Sequence, residues 1–322
     1  MNQTVMTFLE RSWIIAGPTA SGKSEMSMVL AGRINGEIVS VDSMTIFRQL
    51  DIGTAKPTVA DRLRIPHHLI DILDPREGSS VADWLSLCTR CLGEILSRGK
   101  VPILVGGTGL YWKALFFGLP SHPAGDPALR RKWEHEIELR GSAAAHARLR
   151  EVDPIAARKI HPTDSRRIIR ALEVWELTGR PISSGRPDWG AAMNVHPIPP
   201  NRWIWLAWPR ATLRSRINER VCKMLEIGWE NEAISLSQQD AFGPQSVSAL
   251  GYRTLCEGSK SGLAREEIIR RIVQETCQFA KRQETWLRSM PMIRPVPLNV
   301  GISLADTLNR ILDSDGDPSE VS

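Results

Sequence analysis

The residues best suited to chemistry stand in a few short stretches. Gly17, Pro18, Thr19, Ala20, Ser21, Gly22, Lys23 and Ser24 (GPTASGKS) match the phosphate-loop pattern GxxxxGK[ST]. Glycines let several backbone amides converge on one phosphate, and the helix that follows adds its positive end. Lys23 brings a full charge and the Ser24 hydroxyl a ligand for Mg²⁺. The pattern leaves open whose phosphates are held. In nucleotide hydrolases an acid at the end of a second strand helps to hold the metal. Asp42 could do so, yet the apolar run 101–105 (VPILV) ends in Gly106-Gly107-Thr108-Gly109 with no acid, and no guanine-reading NKxD is present. A motor or switch GTPase fits poorly, and a small-molecule kinase stays open. A second kind of chemistry lies in Arg166, Arg167 and Arg170, where helical spacing puts Arg166 and Arg170 on one face suited to phosphate contacts, or to solvent.

These groups need elements to hold them. Residues 12–16 (SWIIA) predict a short buried strand, then the glycine-rich loop, then a helix over 23–33. Residues 37–41 (EIVSV) predict a second strand ending at Asp42-Ser43, 101–105 a third ending in GGTG, and 202–208 (RWIWLAW) a fourth covered on both faces. Polar or glycine residues at the carboxyl ends are the mark of ligand sites in open parallel sheets. The fold class expected is α/β: a P-loop NTPase-like parallel sheet flanked by helices. Prolines at 120, 123 and 127 and again at 197, 199 and 200 bracket a helical, charged stretch without a strand pattern. The domains expected are 1–119 with 201–312 as the catalytic core, an all-helical insertion over 120–200, and a disordered acidic tail over 313–322.

The 322 residues are 42% hydrophobic, enough for a sizeable core, and the formal charge of +5 leans toward a polyanionic partner. The chain has no apolar run of about 18 residues and no leader pattern, so a soluble cytoplasmic protein is expected. Five scattered cysteines suit a reducing compartment without disulfides. Cys88 and Cys91 form a CxxC, but it lies inside a helical pattern (WLSLCTRCLGEIL) with no second pair to complete a zinc site.

A resemblance joins these pieces. GPTASGKS, residues 41–57 (VDSMTIFRQLDIGTAKP), 66–73 (PHHLIDIL), 105–115 (VGGTGLYWKAL), 166–179 (RRIIRALEVWELTG) and 280–288 (AKRQETWLR) together resemble the tRNA dimethylallyltransferase, or tRNA isopentenyltransferase, family over about residues 13–290. DIGTAKP and VGGTGLY are far more specific than the phosphate loop. The resemblance implies that the loop holds the diphosphate of dimethylallyl diphosphate. The exocyclic amine of the adenosine 3′ to a tRNA anticodon attacks the allylic carbon, and diphosphate leaves with Mg²⁺.

An adenine amine is a poor nucleophile that must shed a proton as the bond forms. A carboxylate can orient it and take that proton, although an aspartate of reference pKa ~3.9 is too weak to remove it beforehand. Asp42 is the candidate from its strand end, in agreement with the family, with metal binding through water as the other reading. The resemblance further implies that Thr108 contacts the reacting centre and that Arg220, in RINER, reaches the diphosphate. It carries Asp42, Ser43, Met44, Thr45, Thr108, Arg130, Arg166, Arg167, Ile168, Ile169, Arg170, Lys281, Arg282, Gln283 and Arg288 over to tRNA contact. Trp286 could stack on a base or belong to the core. Phe47, Ser248 and Cys277 stand where the family often has tyrosine, arginine or glutamine, and arginine, which removes hydrogen-bond donors from regions expected to face RNA. No obligate protein partner is expected, and the chain is expected to be monomeric. Transfer to free adenine nucleotides and a non-catalytic RNA-binding module are the other readings.

Overall fold

Runs of isoleucine, valine and tryptophan alternate with amphipathic helices along the chain, a pattern that builds a parallel sheet with helical crossovers. The computed structural model describes residues 3–120, 122–185 and 202–313. Its strands are β1 (Trp13–Ala16), β2 (Gly36–Val41), β3 (His67–His68), β4 (Val101–Gly106), β5 (Trp203–Ala207) and β6 (Arg294–Pro297). They form one sheet in the order β3-β2-β4-β1-β5-β6, every pairing parallel. This is the P-loop NTPase-like α/β class expected. The four expected strands are present within a residue or two at each end, and the short edge strands β3 and β6 are additions.

The helices are α1 (Gln3–Glu10), α2 (Lys23–Ile34), α3 (Val59–Arg64), α4 (Val81–Ser97), α5 (Gly109–Phe117), α6 (Pro127–Arg140), α7 (Ser142–Val152), α8 (Pro154–Lys159), α9 (Ser165–Thr178), α10 (Arg210–Glu226), α11 (Trp229–Gln238), α12 (Tyr252–Ser261), α13 (Arg265–Arg288) and α14 (Leu304–Asp313). Contacts divide the chain into two compact units, Met1–Phe116 with Val195–Ser322, and Phe117–Asn194. The tail expected over 313–322 lies, beyond Asp313, outside the described residues, as does the proline-rich close of the insertion.

In the first unit side-chain alternation along the strands splits the core into two layers. Trp13, Ile15, Ile38, Ile103, Val105, Ile204 and Leu206 point to one face, where Met26 and Leu30 of α2 and Leu304, Leu308 and Ile311 of α14 cover them. Burying a side chain of this size contributes about 1.5–3 kcal/mol, so this layer anchors the helix that follows the phosphate loop. On α4 the buried residues are Trp84, Cys88, Cys91, Leu92 and Ile95, one amphipathic stripe. Both CxxC thiols therefore face the core. Burial pushes the Cys88 pKa up and raises that of Cys91 to about 12, which suits packing rather than redox or metal chemistry. All five cysteines are free.

The second unit is helical throughout its described residues. Ala145, Leu149, Ile160, Ile168, Leu172 and Val174 form its core, with Trp133 and Ile137 packed against it. Three buried polar groups fix its loops. Asp153 accepts from the Ala156 amide and from the Ser183 amide and hydroxyl. His146 Nε2 donates to the Ala157 and Ile160 carbonyls at 3.1 and 3.0 Å. Glu173, fully buried, accepts from the Asp126 amide, Arg130 Nε and Arg170 Nη1.

Candidate active site

The site is built where strands deliver loops at their carboxyl ends, beside β1, at the point where crossovers leave in opposite directions. β1 runs into the phosphate loop, and α2 begins at Lys23. Gly22 has φ +94°, a left-handed conformation that favours glycine. Ala20 holds a left-handed φ of 62° without being glycine. Its carbonyl accepts from Arg216 Nε at 2.9 Å and that of Ser21 from Trp208 Nε1 at 2.9 Å, while the Arg216 guanidinium lies 4.7 Å from the Trp208 ring centre. The loop is thus gripped from outside by its carbonyls, which leaves the first-turn amides of α2 directed at its hollow. The Ser21 hydroxyl is buried inside the loop without a hydrogen-bond partner.

Charge is concentrated here. Lys23 Nζ folds back to donate to the Pro18 carbonyl at 2.7 Å. Burial pushes its pKa down to about 7; the Arg220 guanidinium lowers it further and Asp42 partly opposes both. Burial likewise lowers the pKa of Arg220, against the pull of Asp42. Tyr111, on the first turn of α5, is raised by burial and then by the Asp42 charge. Lys23 and Arg220, both half-buried, and the Asp42 carboxylate therefore feel one another beside the phosphate loop. An anion placed there would relieve the repulsion and restore the Lys23 charge.

Asp42 follows β2 directly. Its Oδ1 accepts from the Met44 amide at 2.8 Å and the Thr45 amide at 3.3 Å, which fixes the carboxylate at the strand end. The GGTG turn lies alongside: the Thr108 amide donates to the Val41 carbonyl, and Thr108 Oγ1 accepts from the Ser43 amide, each at 3.3 Å. The loop, Asp42, Thr108 and Arg220, far apart in sequence, thus share one unit and one end of the sheet.

The DIGTAKP segment supports this end rather than supplying reactive groups. Glu232 of α11 accepts from the amides of Asp51, Ile52 and Gly53 and from the Tyr252 hydroxyl. A Cβ on Gly53 would fall 2.1 Å from Trp229 Nε1. Lys56, almost wholly buried, bonds the Phe47 carbonyl, Asp51 and Asp71. Beside this segment is a cleft of about 600 Å³ walled by Ile52, Pro57, Met224 and Ile227, with Arg220 on its lining.

Several residues expected to touch RNA are placed otherwise. Ile168 and Ile169 are buried in the helical unit, as the apolar face of α9 dictates, and their side chains are withdrawn from any RNA. Gln283 is only 4% exposed: its Oε1 accepts from the Thr19 amide at 2.8 Å and its Nε2 donates to the Gly107 carbonyl at 3.1 Å. Thr45 is buried, its hydroxyl 2.8 Å from that of Ser40. Phe47 is fully buried, so a phenylalanine there removes no donor from an exposed face. Arg130 and Arg170 both engage Glu173, and Arg170 also donates to the Pro123 carbonyl. Arg166, Arg167, Lys281, Arg282 and Arg288 are exposed, Arg167 beside Asp164 and Arg288 bonded to Glu284. Ser43 and Met44 are half-buried next to Asp42. Trp286 is half-buried, with the Lys113 ammonium 4.6 Å from its ring centre. Glu232, Trp208 and Arg216 were not singled out from the sequence; the helical spacing of α10 and α11 gives the faces of Arg216 and Glu232 but not their distant partners, and Trp208 stands just past the end of β5.

A parallel sheet with Asp42 beside an acid-free GGTG turn, and a separate helical unit inserted in the chain before β5, defines a protein of the P-loop NTPase-like class. The comparisons with known proteins specify it. Residues 45–290 match the family described as IPP transferase. The tRNA dimethylallyltransferase of Roseiflexus sp. (strain RS-1) is 44% identical over 88% of this chain and 92% of its own length. Among solved structures, the tRNA isopentenylpyrophosphate transferase of Bacillus halodurans is 37% identical with a TM-score of 0.67, covering 95% of this chain and 96% of its own. A eukaryotic dimethylallyltransferase captured acting on tRNA has a TM-score of 0.71 at 29% identity, covering 89% of this chain and 73% of its own. The chain belongs to the IPP transferase family.

Proposed function

We propose that the protein transfers the dimethylallyl group of dimethylallyl diphosphate to the exocyclic amine of the adenosine 3′ to the anticodon in tRNA. The observation that carries this reading is geometric: the phosphate loop heads α2, Asp42 is fixed at the end of β2 by the Met44 and Thr45 amides, and Thr108 is bonded to the Ser43 amide beside it, with the cations Lys23 and Arg220 within electrostatic reach of Asp42. The cations await a polyanion, and the carboxylate is the base that an amine nucleophile needs.

In the reaction the amine nitrogen forms a bond to the allylic carbon, the carbon–oxygen bond breaks, and its electron pair leaves on diphosphate. The nitrogen, cationic as it bonds, gives its proton to Asp42. The loop amides, Lys23 and Arg220 hold the growing negative charge on the leaving group, where fixed donors lower the barrier most. Thr108, tied to the backbone of Ser43 beside Asp42, orients the reacting centre. Among the described residues no group of three or more His, Cys, Asp or Glu could hold a metal ion. The Ser24 hydroxyl, exposed on the first turn of α2, suits an ion held mainly by phosphate oxygens and water, as Mg²⁺ prefers. Bound there, Mg²⁺ would neutralise leaving-group charge.

The RNA is gripped by exposed cations, Arg166 and Arg167 on α9 and Lys281, Arg282 and Arg288 on α13, through backbone phosphates. Pulling the adenine from its stack costs a few kcal/mol, which this grip offsets. No helix among the described residues is long and apolar enough to cross a membrane.

The test supplies purified protein and Mg²⁺ with radiolabelled dimethylallyl diphosphate and two acceptors in parallel, unmodified tRNA with adenosine beside its anticodon and free AMP. Label in tRNA is expected. Label in AMP alone would replace this reading by a nucleotide prenyltransferase.

A further inference from the structure

Gln283 lies on α13 among Thr276, Ala280, Glu284 and Leu287, all buried. A buried primary amide is costly unless its donor and acceptor are matched. Gln283 meets this with two backbone groups from separate loops: the Thr19 amide of the phosphate loop and the carbonyl of Gly107, the residue before Thr108. The approach is close. A Cβ at Gly107 would lie 2.2 Å from Gln283 Nε2 and 2.8 Å from the Gly17 carbonyl, so the two loops meet at this side chain without room for another atom.

We infer that Gln283 is a positioning residue for transfer: its amide bridges Thr19 and Gly107, and thereby sets the spacing between the diphosphate loop and the Thr108 turn. The bridge has a direction. The Thr19 amide is engaged by Gln283 Oε1, so it is not one of the phosphate donors. The bridge fixes the loop's orientation for the amides that are. At its other end it holds the backbone one residue before Thr108. Buried between the two loops, Gln283 is withdrawn from nucleic acid, whereas Lys281 and Arg282, two and one positions earlier, are exposed. The inference rests on the reading of the loop as a diphosphate site.

The full chain is compared as wild type, Gln283→Met and Gln283→Glu. Methionine keeps the volume and loses both hydrogen bonds. Glutamate keeps an acceptor for the Thr19 amide but turns an oxygen toward the Gly107 carbonyl. Three quantities are measured with Mg²⁺ present: the Kd of dimethylallyl diphosphate by calorimetry, the Kd of unmodified tRNA by filter binding, and the single-turnover transfer rate. Gln283→Met is expected to raise the diphosphate Kd roughly ten- to hundredfold, the scale of losing buried hydrogen bonds, and to slow transfer. Its tRNA Kd should stay within about twofold. Gln283→Glu, which fills the same space if methionine prevents folding, should lose diphosphate affinity at least as strongly, since its charge also repels the ligand. A weakened tRNA Kd with diphosphate affinity intact would make Gln283 an RNA contact and overturn the inference. So would a lowered melting temperature with both Kd values unchanged, which marks packing alone. If the wild type itself fails to take up dimethylallyl diphosphate, the reading of the loop falls first, and the inference with it.

Discussion

Lys23 is the residue on which the loop's chemistry turns. Burial and the Arg220 guanidinium disfavour its charge and lower its pKa to about 7. Diphosphate reverses that balance and raises the value in the complex. Below pH 7 Lys23 is charged with or without ligand, so its contribution to affinity is flat. Above pH 7 the free protein has lost the proton and binding must take one up, so affinity falls by up to about tenfold per pH unit until the complex also titrates. Calorimetry at pH 8 in buffers of different ionisation enthalpy should register uptake of close to one proton per dimethylallyl diphosphate; affinity unchanged between pH 7.5 and 9 would contradict the account. Asp42 is tested apart from binding. Asp42→Asn keeps the geometry of an oxygen facing the Met44 and Thr45 amides but cannot accept the proton. Single-turnover transfer at saturating dimethylallyl diphosphate should fall roughly 10²- to 10⁴-fold.

At the scale of elements, the active end is assembled by side chains reaching into loops. Glu232 is the densest case, one carboxylate on three consecutive amides and a tyrosine hydroxyl. Glu232→Ala leaves those groups without their acceptor. It should destabilise the protein by about 2–3 kcal/mol, read from urea unfolding. A shift under about 0.5 kcal/mol would mean that the DIGTAKP segment holds its shape by other means. Much of this level was legible in sequence. β1, β2, β4 and β5 are apolar runs ending in loop residues, and burial on both faces leaves little else for such runs to be. β3 and β6 were not legible, because a His-His pair and RPVP lack apolar periodicity and pair only at the sheet edges. Gln283 falls between these cases. Ile268, Ile272, Thr276, Ala280, Gln283 and Leu287 recur at helical spacing, so its burial could be read from the period. Its partners could not, being 264 and 176 residues away. The motif resemblance, which assigned the whole KRQxTWLR segment to RNA, hid the change of role within one turn.

At the scale of the molecule, a formal charge of +5 and exposed arginines and lysines in both units imply that tRNA binding releases counterions. Arg166→Glu should weaken tRNA binding at low salt and should reduce the slope of log K against log salt by about one. Arg170→Glu is a poorer probe, since it would set a second carboxylate against the buried Glu173 and disturb the helical unit. A tRNA affinity indifferent to Arg166→Glu would remove α9 from the RNA-binding face. The central claim is that the phosphate loop serves the breaking of a carbon–oxygen bond and not a phosphorus–oxygen bond. It is tested most directly with dimethylallyl diphosphate carrying ¹⁴C in the prenyl group and ³²P in the diphosphate, incubated with unmodified tRNA and Mg²⁺. The account predicts ¹⁴C in the tRNA and all ³²P released as diphosphate; ³²P in the tRNA, or ³²P released as monophosphate with no ¹⁴C transferred, would contradict it.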